Sequence, residues 1–237
     1  MSSPASDLRE WIALLEKEGE LVRISAEVDP ELEITEIVDR VVKAGGPALL
    51  FENAKGAQHP LLINQFGTEK RMCLAFGVEK LDDLADKLGE ILELQPPQGL
   101  VDKVRSLGKL KSIADSMPKE VSKAPCQEVV LTGEDVNLDL LPIQRCWPLD
   151  PAPFITLPAV ITKDQATGVR NVGMYRMQVL GPRRLAMHWQ LHKTATAHYR
   201  GYKKRGERMP VAIALGGDPA LTYCASAPLP PNVDEYL

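Results

Sequence analysis

Residues 171–193, NVGMYRMQVLGPRRLAMHWQLHK, constrain this chain more than any other stretch. Two alternating segments, Asn171–Leu180 and Arg184–Gln190, flank Gly181-Pro182, which predicts a β-hairpin. A strand that buries one face carries apolar side chains there, yet Asn171, Arg176, His188, Gln190 and His192 interrupt these segments. Alternation puts Asn171, Gly173, Tyr175, Met177 and Val179 on one face and Val172, Met174, Arg176 and Gln178 on the other. His188, Gln190 and His192 would share a face of the second strand. Such a row either presents two imidazoles and an amide to one ligand or is the solvated side of a strand. Spacing alone leaves both readings open.

The chain has 237 residues, enough for one large or two modest domains with a sizeable core. Its 44% hydrophobic and 25% charged content is that of a soluble globular protein. A net charge of −4 argues against a dedicated nucleic-acid binder. No apolar run is long enough to predict a transmembrane helix, and the opening MSSPASDLREW lacks the basic and apolar regions of a secretory signal. Cys73, Cys126, Cys146 and Cys224 lie far apart without C-x-x-C pairing, as expected of free thiols in a reducing cytosol. A cytoplasmic location follows from these readings as an expectation.

Taken in order, Ser6-Asp7 caps a helix with its stripe at Leu8, Trp11, Ile12, Leu14 and Leu15, ended by Gly19. Glu20–Val28 alternates as a strand. Asp29-Pro30 is expected to cap a second helix, stopped by Gly45-Gly46. Ala48–Phe51, Leu61–Asn64 and Met72–Phe76 each read as short strands. Helix is expected again over Leu81–Leu94 and Leu100–Leu110, with Pro96-Pro97 between them. This block, residues 1–117, reads as a small α/β domain without a chemical cluster. The polar stretch with Pro118 and Pro125 places a boundary there, and residues 118–237 have another texture.

Gln127–Leu131 and Ala159–Lys163 read as strands. Between them Pro142, Pro148, Pro151, Pro153 and Pro158 forbid regular pairing and predict an ordered loop. Many strands with hairpin turns suggest a barrel or a strongly bent sheet. Thr194–Arg205 reads as a helix capped by Thr194 or Thr196. Arg183 to Arg208 holds eight Lys/Arg against one acid, Glu207, either a solvated basic face or a collar for a phosphate. Met209–Leu215 reads as a buried strand, and Gly216-Gly217-Asp218-Pro219 turns into a short helix containing Cys224, Ala225 and Ser226. Another helix is expected to begin at Asn232, two residues beyond Glu235 the chain stops, and an unfinished barrel reads as a fragment. His198 is expected on a helix surface and His59 in a loop.

Four motifs in order, NVGMYR (171–176), MHWQLHK (187–193), LGGDPA (215–220) and PPNVDEY (230–236), resemble the UbiD-type decarboxylases, the 4-hydroxy-3-polyprenylbenzoate decarboxylases and their relatives acting on aromatic and α,β-unsaturated acids. The opening DLREWIALLEKEGEL (7–21) is similar to the start of that family. The resemblance spans essentially the whole chain. It implies an α+β fold in which the N-terminal α/β domain precedes an incomplete flavin-reductase-like split β-barrel. It also implies prenylated FMN, a divalent metal (Mn2+ or Mg2+) and K+ bridging the cofactor phosphate to the protein.

By the same resemblance the metal ligands fall on Asn171, His192 and Glu235. Amide oxygen, imidazole and carboxylate suit manganese or magnesium better than a thiolate-rich set would. Met174, Tyr175, Arg176, His188, Trp189 and Gln190 would line the cofactor, with Lys193 and Thr194 near its phosphate and Ser226 at the potassium or phosphate. Arg176 would orient the substrate carboxylate with its planar, permanently charged fork. In the family this arginine belongs to a Glu-Arg-Glu network whose acid protonates the carbon that has lost CO2; both glutamates would lie downstream of Leu237. The implied function is reversible, non-oxidative decarboxylation of an aromatic or unsaturated acid, with the 237-residue chain alone inactive. A flavin prenyltransferase would supply the cofactor, and exposed edges of an unfinished barrel point to a homo-oligomer. The competing readings are an FMN- or phosphate-binding module without decarboxylase activity, and an open-barrel fragment that binds nothing.

Overall fold

The fold is that of a computed structural model, which describes residues 4–92, 120–227, 229 and 235–236. The expected helix over Leu100–Leu110 and the start of the one at Asn232 lie outside the described residues. At the N-terminus, α1 (Leu8–Lys17) is capped by Asp7, whose carboxylate accepts from the amides of Arg9 and Glu10. Its apolar stripe buries Trp11 and Leu15. Strand β1 (Leu21–Val28) runs parallel to β2 (Ala48–Ala54), and α2 (Glu33–Lys43) makes the crossover that parallel strands require. Strand β3 (Leu61–Ile63) adds antiparallel to β2.

As the central strand, β2 is buried on both faces. Ala48 joins Trp11, Leu15 and Ala75 on one side, while Leu49 and Phe51 join Val28 and Ile34 on the other. The expected cap at Asp29-Pro30 is displaced: α2 is preceded by Leu32 in a left-handed conformation (φ 69°), and the Asp29 carboxylate instead accepts from the Glu31 amide. Met72–Phe76, expected as a strand, is helical within α3 (Glu69–Phe76). Thr68 caps it by accepting from the Arg71 amide, and Gly77 (φ 62°) closes it in the left-handed conformation. Helix α4 (Leu81–Leu92) follows as expected.

From residue 120 the chain makes two three-stranded antiparallel sheets. One is ordered β4 (Phe154–Ile155), β7 (Met177–Gly181), β8 (Arg184–Met187); the other is ordered β6 (Arg170–Met174), β5 (Ala159–Lys163), β9 (Ala212–Ala214). They share one core: Val160 of β5 packs with Ile155, Tyr175, Met177 and Ala195, flanked by Met187 and Trp189. Helix α5 (Thr194–Lys204) lies against β5 and β6. Helix α6 (Pro219–Cys224) starts on Asp218, whose carboxylate accepts from the Ala220 and Leu221 amides.

Three expectations fail here. Gln127–Leu131 forms no strand: Pro125 opens a 3-10 turn, and Val129 and Val130 are exposed with no partner strand among the described residues. Residues 209–215 shrink to β9, an edge strand whose three residues are all exposed, not buried. The long hairpin strand divides into β6 and β7, which belong to different sheets and break at Tyr175-Arg176.

The N-terminal unit and the later sheets are joined directly. Arg145 pairs with Glu31 at 2.8 Å, its amide donates to the Pro30 carbonyl, and its carbonyl accepts from the Leu32 amide. Tyr223 of α6 meets Phe66 and Phe76 edge-on, with ring centroids 5.8 and 5.3 Å away. Trp11 anchors the first core: it is fully buried, donates from Nε1 to Gln65 Oε1 at 3.0 Å, and stacks on Phe66. Trp11→Ala is expected to destabilise the chain by about 3–5 kcal/mol, read from the urea unfolding midpoint.

Candidate functional site

The break between β6 and β7 builds the site. Asn171, Val172 and Gly173 are buried in β6. After Met174 the chain turns a corner, and the Tyr175 ring folds back over Gly173. A Cβ on Gly173 would stand 2.4 Å from that ring, so this position excludes a side chain. The Tyr175 hydroxyl thereby reaches Asn171 Oδ1, to which it donates at 3.0 Å. It also accepts from the Ala195 amide in the first turn of α5 at 3.3 Å. Burial pushes the phenol pKa up and keeps the proton on the donor.

Glu235, 64 residues from Asn171, closes the other side of the amide. Asn171 Nδ2 donates to Glu235 Oε1 at 2.5 Å and the Val172 amide donates to Oε2 at 2.6 Å. A carboxylate only accepts, so Nδ2 must face it, which leaves Oδ1 to Tyr175. Tyr236 secures the same segment by packing on Ala159, Val172 and Ala225. Asn171 and Glu235, expected to act together, are therefore brought together. His192 is exposed in the turn before α5, and among the described residues no hydrogen bond or ion pair ties it to that pair. Among the described residues no three His, Cys, Asp or Glu side chains form a metal-holding group.

Arg176 occupies the corner itself. Its guanidinium lies 3.8 Å above the centroid of Phe154, and Nη2 stands 3.4 Å from both carboxylate oxygens of Asp150. The His188 ring stands perpendicular to Phe154 with centroids 5.4 Å apart, and the His188 amide donates to the Arg176 carbonyl. The expected His-x-Gln-x-His strand face is not formed, because β8 ends at Met187 and residues 188–193 run as a loop into α5. Loop geometry still gives these residues definite places. Trp189 packs between Tyr175 and Tyr199, with Nε1 buried and unpartnered among the described residues. The Gln190 carbonyl accepts from Thr196 Oγ1 at 2.7 Å, while the Gln190 side chain is exposed.

The start of α5 differs from expectation: Lys193, not Thr194 or Thr196, holds the cap position and its side chain makes no capping bond, while the Ala195 amide of the first turn is taken by the Tyr175 hydroxyl. Met174 is half-buried beside Ala225, and the Ser226 hydroxyl donates to the Tyr223 carbonyl at the end of α6. His198, expected on the surface, is buried, with Nδ1 3.0 Å from Thr162 Oγ1. Thr162 is the register partner of Asn171, so this imidazole stands behind the site. Asp150, Phe154 and His198 are the members the sequence hid. The first two sit in a proline-rich stretch without periodicity, and a single helical histidine carries no spacing signal.

Two predictions test this geometry. Gly173→Ala should expel the Tyr175 ring, break its bond to Asn171 and destabilise the chain by about 1–3 kcal/mol in urea unfolding. Burial lowers the His198 pKa, against smaller opposing pulls from Asp164 and Glu235. The unfolded chain then binds that proton more readily. The stability supplied by neutral His198 is complete above about pH 6.5 and is lost as the pH falls through the folded value. His198→Gln, which keeps a hydrogen-bonding group but does not titrate there, should flatten the decline in unfolding free energy between about pH 7 and 5.

Comparison with known proteins gives the geometry its relatives. A family model described as the 3-octaprenyl-4-hydroxybenzoate carboxy-lyase Rift-related domain matches residues 119–237, and one described as the N-terminal domain of that carboxy-lyase matches residues 12–90. An uncharacterized protein of Aquifex aeolicus is 52% identical over 98% of this chain and 48% of its own length, and one of Archaeoglobus fulgidus is 48% identical over 98% and 47%. Among solved structures, an evolved dimeric form of the UbiD-class enzyme HmfF from Pelotomaculum thermopropionicum, in complex with prFMN, superposes with a TM-score of 0.81 at 29% identity, covering 98% of this chain and 49% of that one. The closed form of the Sedimentibacter hydroxybenzoicus vanillic acid decarboxylase gives 0.80 at 28% identity, covering 99% and 48%. The chain spans about half the length of these relatives.

Proposed function

The chain belongs to the UbiD family of 3-octaprenyl-4-hydroxybenzoate carboxy-lyases, and from that premise we propose that it is the cofactor- and metal-binding part of a reversible, non-oxidative decarboxylase of aromatic or α,β-unsaturated acids. The carrying observation is the Asn171–Glu235 pair, a buried amide and a carboxylate joined across 64 residues. Prenylated FMN, when bound, supplies the electron sink for the carbon that loses CO2.

The donor set fits a hard cation. Glu235 offers carboxylate oxygens, and rotation of the Asn171 amide would turn Oδ1 to the same place, with His192 as the third ligand in this reading. Such a cation, Mn2+ or Mg2+, would neutralise the cofactor phosphate beside a carboxylate, with K+ sharing that role and Ser226 near it. Lys193 and Thr194, at the N-terminus of α5 where no side chain caps the helix, would hold the phosphate. Trp189 Nε1, a buried donor without a partner among the described residues, together with Met174, Tyr175, His188 and Gln190, would line the ring system. Arg176 would fix the substrate carboxylate.

In this reading residues 118–237 form part of a split barrel completed by a downstream half, which also supplies the proton donor. The assembled protein is a cytoplasmic homo-oligomer that receives its cofactor from a flavin prenyltransferase. The test is purification of the chain after co-expression with such a prenyltransferase in manganese-containing medium. Flavin absorbance with equimolar manganese, and no CO2 release from aromatic acids until the downstream half is supplied, is expected. A folded chain that retains neither flavin nor manganese contradicts the proposal.

A further inference from the structure

Arg176 is held by residues that no expectation named. Phe154 is 4% exposed and fixed at both flanks: its amide donates to the Gln144 carbonyl at 2.9 Å, and it pairs with Gln178 across β4 and β7. The His188 ring packs against its own at an interplanar angle of 86°, and one face carries the Arg176 guanidinium at 3.8 Å. A cation at that height over an aromatic face is attracted by the ring quadrupole and is also forced to lie in a defined plane.

The Asp150 carboxylate holds one end of the fork. It is mostly buried, is itself steadied by the Trp147 amide at 3.2 Å, and meets Nη2 alone. Among the described residues Nε and Nη1 of Arg176 make no hydrogen bond, and 41% of the side chain remains exposed. An arginine clamped on one face and at one nitrogen is held in a fixed orientation while donors remain open for a further acceptor.

We propose that Phe154 is a positioning residue whose ring face sets the plane of Arg176, with Asp150 fixing its rotation, so that the donors left open stand ready for a substrate carboxylate. The carboxylate role rests on the function proposed above; the positioning does not.

The test compares Phe154→Leu, which fills the core without offering an aromatic face, with Phe154→Tyr, which keeps the face. The primary readout is 15N relaxation of the Arg176 side-chain Nε, assigned by its loss in Arg176→Lys. The expected result is a rigid Nε in wild type and Phe154→Tyr and a mobile one in Phe154→Leu, with all three folded by their amide spectra. The second readout is the affinity for benzoate, expected to fall about 5-fold or more in Phe154→Leu and to recover in Phe154→Tyr. An Arg176 Nε equally rigid in Phe154→Leu and wild type overturns the positioning. A mobile Nε in Phe154→Leu with no benzoate binding to wild type upholds the positioning and overturns the carboxylate-anchor reading.

Discussion

A single carboxylate, Glu235, ties the site together. It takes the Asn171 side chain and the Val172 amide at once, so the last described segment is fastened to the middle of β6. Hydrogen bonds to a charged acceptor are among the stronger ones a chain makes, about 1.5–3 kcal/mol each. Their direction is fixed by chemistry: a carboxylate cannot donate, so the Asn171 amide must turn its nitrogen outward. That choice sends Oδ1 to Tyr175, Tyr175 across Gly173, and its hydroxyl on to the first turn of α5. A strand, a loop helix and a distant segment thus share one chain of hydrogen bonds.

The corner after Tyr175 does the complementary work. Two sheets that share a core cannot be served by one straight strand, and the chain passes between them at Tyr175-Arg176. A residue at such a corner is freed from ladder pairing. Arg176 uses that freedom to lie over Phe154 rather than to alternate with its neighbours. The Tyr175 bond to Asn171 and the placement of Arg176 are therefore set by the same local departure from regular strand geometry.

Much of this was legible in the sequence. The helical stripe around Trp11 and the strands expected at Glu20–Val28, Ala48–Phe51 and Ala159–Lys163 were readable from periodicity, and β1, β2 and β5 stand there. The failures have physical causes. Met72–Phe76 was misread because five apolar residues fit a strand or a helix, and the deciding caps at Thr68 and Gly77 lie outside the run. Val129–Leu131 has strand-forming residues, but a strand exists only where another pairs with it. Alternation through 171–180 masked the corner because Tyr175 returns to the face it would have shared with Gly173. Asp150 and Phe154 were invisible because their partner is more than twenty residues away, a separation that only folding closes.

The central claim is that Asn171 and Glu235 form a cation site. It is tested most directly by titrating the chain with Mn2+ and following the free-ion EPR signal in wild type and Glu235→Gln. The account predicts saturable binding to wild type that weakens by about tenfold or more in the variant, the loss of a charged ligand being worth at least about 1.4 kcal/mol. Equal binding to both proteins, or no binding to a folded wild type, would contradict it.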